Sequence, residues 1–263
     1  VFLLLDVPSM PAPAVDYYVN AETGNDSNSG LSSAVPWKTV HKAAAVAEEG
    51  DRCHVAPGTY PGRVYVRHSG APGSPIAFRA EGPGARVEGF TVRGLGSVHH
   101  VVIEGFEITL PRQASLDEES LGAGVALINT QYCEVRNCYI HHTLREGVMV
   151  KGEQGDDSTQ SSYNVAANNR IDYAGGYAGI VVNGAFQTLY KNDIAHTVQH
   201  PLYPTLSTAD GADADGIKFC GRDIVIRANY IHDLSPSQAG NLDPHVDAMQ
   251  TFGPAYNILI ERN

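Results

Sequence analysis

The densest group of acids in the chain is Asp210-Gly-Ala-Asp213-Ala-Asp215-Gly216, and Lys218 stands three residues after Asp215. A second group, Asp243-Pro-His245-Val-Asp247, follows further along, with Gln250 just beyond it. Two carboxylates brought close together repel each other unless a proton or a cation intervenes. Hard oxygen ligands at this density, drawn from two separate segments, suggest Ca²⁺, which takes about six to eight of them. The candidate ligands are Asp213, Asp215, Asp243 and Asp247. An EF-hand is excluded, because no Glu stands at the twelfth position of such a loop. The plainer reading is a run of solvated turn residues, since Asp and Gly populate turns in any case. Lys218 is one of only five lysines. A lysine beside a bound cation gives up its proton more readily and becomes available as a general base. The competing reading is a surface lysine paired to a nearby Asp. Arg222, Gln250 and His245 are candidate substrate contacts, Arg222 because a guanidinium binds anionic sugar groups. Arg227 aligns with Arg136 in the repeat described next, so a structural role suits it equally.

These residues lie too far apart in the chain to meet unless the fold stacks them. Internal repetition shows how it does so. Val135-Arg-Asn-Cys-Tyr-Ile140, Ala166-Ala-Asn-Asn-Arg-Ile171, Ile226-Arg-Ala-Asn-Tyr-Ile231 and Ile103-Glu-Gly-Phe-Glu-Ile108 align, and Ile258-Leu-Ile-Glu-Arg-Asn263 begins the same pattern. A second motif follows most of them: Gly124-Val-Ala-Leu, Gly147-Val-Met-Val, Gly179-Ile-Val-Val, Gly216-Ile-Lys-Phe and, with Ala for Gly, Ala248-Met-Gln-Thr. The steps between these glycine positions are 23, 32, 37 and 32 residues. The shortest is close to one bare turn of a parallel β-helix, and the longer ones carry inserted loops. No single turn can bury its apolar side, so turns stack and share a core. The expected fold is therefore all-β, a right-handed parallel β-helix spanning residues 17–263. Val125, Val148, Ile180, Ile217 and Met249 would form one inward ladder, with 126, 149, 181, 218 and 250 facing out. The column before the glycines reads Ala123, Glu146, Ala178, Asp215 and Asp247. Asp215 and Asp247 are thus expected about 4.8 Å apart on neighbouring coils. The Ala-rich run Pro36–Glu48, closed by Gly50, is the one strongly helical stretch and is expected to cap the open end of the core.

Composition agrees with this architecture. Charged residues make up only 18% of the chain and there are 27 glycines, which suits short strands and turns. The formal net charge of −11 argues against nucleic-acid binding. It would also oppose an acidic polysaccharide, unless a local cation screens the site. No segment approaches the roughly 18 apolar residues of a membrane span. The apolar start Val1–Leu5 with Pro11-Ala-Pro-Ala14 fits either a signal remnant over residues 1–16 or an ordered strand. The pattern stops in mid-repeat at Asn263, so further chain is expected. Cys53, Cys133, Cys138 and Cys220 form no CxxC pair and are expected to serve as small buried hydrophobes.

The opening Tyr17–Asp26, followed by Pro36-Trp-Lys-Thr-Val40 and Pro57-Gly-Thr-Tyr60, resembles that of many secreted β-helix polysaccharide lyases. Asp213-Ala-Asp-Gly-Ile-Lys218 is similar to a calcium-binding stretch of family 9 pectate lyases. Asp243-Pro-His245 is similar to a short element of mannuronan epimerases. The family 9 resemblance implies Asp215 and Asp247 as Ca²⁺ ligands and a lysine base. The chain departs from that family where Val246-Asp247-Ala248 replaces paired acids. The family's catalytic lysine would fall after Asn263, so Lys218 takes its place as the candidate. Family 6 lyases of alginate or dermatan share the opening and a lysine base, with a different acid-to-lysine spacing. The expected protein is a secreted or periplasmic monomer, a calcium-assisted lyase of a uronate-containing polysaccharide. A glycoside hydrolase and a binding module on the same fold are the rival readings.

Overall fold

The computed structural model describes residues 13–110, 122–152, 161–198, 213–235 and 245–263. Short strands wind into three parallel sheets of nine, seven and seven strands, termed A, B and C, with one added two-stranded pair. Every pairing between named strands is parallel and joins one coil to the next. The aligned sequence motifs are the strand of sheet A, a corner, and the strand of sheet B. The glycine motifs lead into sheet C.

Each sheet contributes one apolar ladder to a shared core. In sheet C it runs Phe90, Val125, Val148, Ile180, Ile217, Met249, the inward ladder expected from the repeat. In sheet B it runs Ile108, Ile140, Ile171, Ile194, Ile231. In sheet A it runs Ile103, Val135, Ala166, Leu189, Ile226, with Ile260 exposed on the last described coil. Like side chains pack on like at the strand spacing, so burial grows with each added coil.

The corner between sheets A and B is always two residues long in these coils. Its first residue takes a positive φ of 54–55° at Asn137, Asn168, Lys191 and Ala228. The second is most often a buried asparagine. Asn192 Oδ1 accepts from the backbone N–H of Asn169 at 3.1 Å and from its side chain at 3.0 Å. Asn192 Nδ2 donates to the Ala166 carbonyl at 2.8 Å. Asn229 and Asn263 continue the ladder. Each amide satisfies buried backbone groups that a tight corner would otherwise strand.

The glycines before sheet C answer a need for space rather than for unusual dihedrals. A Cβ on Gly147, Gly179 or Gly216 would lie 2.5–2.6 Å from Cγ2 of Ile171, Ile194 or Ile231 on the following coil. Gly179→Ala is therefore expected to destabilise the fold by about 1–3 kcal/mol through overpacking. A lowered urea midpoint at unchanged slope would show it.

The helix is shorter than the Ala-rich run, covering only Val40–Val46. Thr39 is its N-cap and accepts from the Lys42 amide at 3.1 Å. The Asp26 carboxylate takes the amides of Lys38 and Thr39, which holds the preceding residues out of the helix. Trp37 instead stacks on Tyr17 at 4.5 Å. Val40, Ala43 and Ala44 turn into the core. All four cysteines are buried, and burial pushes the Cys133 and Cys138 thiols up to about 12. They act as small hydrophobes. Among the described residues no helix is long and apolar enough to cross a membrane.

Candidate active site

Two strands of sheet C position the candidate residues: Asp215–Arg222 and, on the next coil, Met249–Tyr256. Each is eight residues long, against three or four in the first four coils of this sheet. Period-2 alternation turns Lys218 and Gln250 outward, and the register sets them side by side. At the leading edge of the strands, a bridge pairs Asp213 with His245. The Asp215 and Asp247 segments are joined in two ways. Asp247 N–H donates to Asp215 Oδ1 at 2.8 Å, and Gly216 N–H donates to the Asp247 carbonyl at 2.9 Å. Six of the expected residues thus meet on one outer wall.

Electrostatics divide this group by depth. Asp215 has a side-chain exposure of 0% and Lys218 of 9%, whereas Asp247 and His245 stand at 47% and 67%. The Lys218 ammonium donates to Asp213 and lies 3.9 Å from Asp215 Oδ2. Burial raises the Asp215 carboxyl to about 6, with the charges of Asp213 and Asp247 adding to the rise. The Asp247 amide and Lys218 oppose it. Asp215 Oδ2 is buried with no hydrogen-bond partner among the described residues. In the outer coil His245 Nδ1 lies 3.4 Å from Asp247 Oδ2. Gln250 Nε2 lies 3.5 Å from each of them.

A calcium ion can be tested against these donors. An unpartnered buried carboxylate oxygen beside two further acids is hard oxygen of the right kind. Among the described residues, however, no three His, Cys, Asp or Glu side chains converge on one point for a metal. Asp243, a fourth expected ligand, lies outside the described residues, as do Asp210, His200 and Tyr203.

Arg222 is set apart from the other candidates. It ends the eight-residue strand, so at roughly 3.3 Å per residue it sits some 20 Å from Asp215. There it donates to Asp223 at 2.7 Å and stacks on Phe186 at 4.9 Å. It stands apart from the acid cluster. Arg227 faces out from sheet A and pairs with Glu261. Tyr230 is an exposed residue of sheet B, stacked on His232 at 4.2 Å. His196 is tied to Asp172 at 2.8 Å beside sheet B.

The site also reaches further than the acid spacing suggested. Tyr177 sits on the coil before Lys218, with the Lys218 Nζ 5.5 Å from its ring centroid and the Arg145 guanidinium 5.6 Å away. Arg145 lies 3.4 Å from Glu146, and both are buried. Glu146 shares the column of Asp215 and Asp247, which was the one signal in the sequence for this extension.

Comparison with known proteins places these observations. The family model described as "right handed beta helix region" matches residues 100–243. A second, for a protein of unknown function (DUF1565), matches residues 22–65. No curated protein matches the chain. Among solved structures, the pectate lyase Pel9A is similar with TM-score 0.55 and 19% identity, covering 84% of this chain and 54% of that one. The GH136 lacto-N-biosidase from Eubacterium ramulus is similar with TM-score 0.60 and 15% identity, covering 92% and 56%. XylC in complex with xylose gives TM-score 0.63 and 14% identity, covering 83% and 59%. The chain thus spans somewhat more than half the length of these structures, and at such identities the likeness is one of fold. They include both a lyase and a glycoside hydrolase.

Proposed function

The chain belongs to the right-handed β-helix family, and we propose that it is a polysaccharide lyase that cleaves a uronate-containing polymer by β-elimination, with Lys218 as the base. The observation that carries this reading is the placement of Lys218. It is the cation of the outward ladder, held by Asp213 and Asp215, and it pairs in the sheet with the half-buried Gln250, which lies 3.5 Å from both His245 and Asp247 of the next coil. An amine so placed can take the proton next to the substrate carboxylate while the 4-linked oxygen departs. Gln250 and His245 would orient the sugar from the neighbouring coil. For Ca²⁺ to be held here, Asp243 and a substrate carboxylate would have to complete a ligand set begun by Asp213, Asp215 and Asp247. Bound there, the ion would supply positive charge that lets an acidic protein accept an acidic polymer and acidifies the proton to be removed. A secreted or periplasmic setting follows from such a substrate.

One observation favours a second reading. A carboxyl raised to about 6, as Asp215 is, has the property of a general acid in a glycoside hydrolase. Its complete burial decides against it, because geometry precedes pKa and a group without exposed surface does not reach a glycosidic oxygen. The purified protein should be incubated with pectate, alginate and glycosaminoglycans, with and without a chelator. Ultraviolet absorbance of unsaturated product on one polymer, lost with the chelator, is the expected result. New reducing ends without that absorbance would establish hydrolysis instead. Binding without any product would leave a recognition module.

A further inference from the structure

We propose that Tyr177 is the positioning residue for Lys218, its ring holding the ammonium group where it meets Asp213. The backbone places the ring firmly. Asp215 N–H donates to the Tyr177 carbonyl at 3.0 Å, and the next residue, Ala178, pairs with Asp215 in the sheet. Tyr177 is therefore locked one coil away from Lys218. The Lys218 Nζ lies 5.5 Å from the ring centroid and the Arg145 guanidinium 5.6 Å from the same centroid. A cation over an aromatic face is attracted by the ring quadrupole, and more strongly once water is excluded. Both cations are largely buried here, with side-chain exposures of 9% and 7%. Arg145 is itself anchored by Glu146, so the ring is contacted by two fixed charges. A lysine has a long, flexible stem with many rotamers. Asp213 supplies a hydrogen-bond partner for its head, and the Tyr177 ring supplies a second contact to the same head.

The test uses the reactivity of the amine, which needs no substrate. The folded protein is treated with a limiting amount of an amine-acylating reagent, and Lys218 modification is quantified by peptide mass spectrometry against Lys38. Tyr177→Phe keeps the ring and is expected to label like the wild type. Tyr177→Leu removes it and is expected to label Lys218 several-fold faster. Tyr177→Met, also ringless, takes its place if the leucine variant does not fold. Unchanged labelling in a folded ringless variant overturns the proposal. Equal acceleration in Tyr177→Phe would also overturn it, because the hydroxyl and not the ring would then be responsible. The kinetic consequence rests on the elimination reading: kcat should fall in the ringless variant at nearly constant KM, and Phe should restore it. Because labelling is independent of turnover, failure of the elimination reading would show in the polymer screen and leave the labelling result standing.

Discussion

Lys218→Arg should abolish polymer cleavage, lowering the initial rate by about 10²–10⁴-fold, while leaving the protein folded. That range is what a positioned general base contributes. Arginine is the informative replacement because it keeps a positive charge opposite Asp213 and Asp215 but holds its proton at every working pH. Lys218→Ala removes the charge as well. It would leave two buried or half-buried acids without their cation, so its loss of activity would mix chemistry with destabilisation. The pair of variants separates the two roles. If Lys218 is only a structural counter-ion, Lys218→Arg retains activity and Lys218→Ala lowers the melting temperature. If it is the base, both are inactive and only the alanine variant melts early. Unsaturated-product absorbance and thermal unfolding, measured on the same preparations, distinguish these outcomes. Full activity in Lys218→Arg would remove the elimination mechanism as drawn here.

Asp215→Asn should stabilise the protein at neutral pH and have no effect in acid. The Asp215 carboxyl stands at about 6 in the folded chain against an ordinary value of 3.8. The folded state thus holds this proton more tightly than the unfolded state does. Below about pH 4 the group is protonated in both states and folding is not penalised. As the pH rises from 4 to 6 the unfolded chain gives up the proton first, so stability falls. Above about 6 the loss is complete and constant. A shift of this size corresponds to roughly 3 kcal/mol, since each pKa unit is worth about 1.4 kcal/mol. That value already includes the attraction to Lys218, and Asn still accepts from the Asp247 amide, so a gain of up to about 3 kcal/mol is expected near pH 7.5. Urea unfolding at a series of pH values measures it. A variant less stable than the wild type at neutral pH would mean that the lysine contact outweighs burial. The same pair of proteins tests the cation. Ca²⁺ should raise the unfolding midpoint of the wild type, because a ligand that binds only the folded state stabilises it. It should raise that of Asp215→Asn much less.

The parts of this fold that were legible in the sequence are those that repeat. The ladder Val125, Val148, Ile180, Ile217, Met249 appears as expected because one register error would turn every inward residue outward. The same stacking made the junction of Asp215 and Asp247 legible, since a shared column is a statement about sequence position. Tyr177 and Arg145 were not legible. Their link to Lys218 is a contact of side chains across coils, set by reach and ring orientation, and no spacing rule encodes it. The distance of Arg222 from the acids was not legible either, because an eight-residue strand carries it to the far edge of sheet C. The helix starts later than its Ala-rich run because Asp26, distant in sequence, captures the amides of Lys38 and Thr39.

The two-residue corner between sheets A and B has a consequence for how such a molecule diversifies. Arg136 to Tyr139, Ala167 to Arg170, Tyr190 to Asp193 and Arg227 to Tyr230 never admit an extra residue. An insertion there would break the asparagine ladder and throw the coils out of step. The passage from sheet B to sheet C is under no such constraint. It runs from Asp172 to Ala178 in one coil, from Ala195 to Asp215 in the next and from His232 to Met249 in the one after. The two longest of these three passages lead directly into the two acid groups. Mutation is thus free to change the length and content of these passages while the ladders of the sheets stay untouched. Variation and endurance of the scaffold are written in separate stretches of one chain.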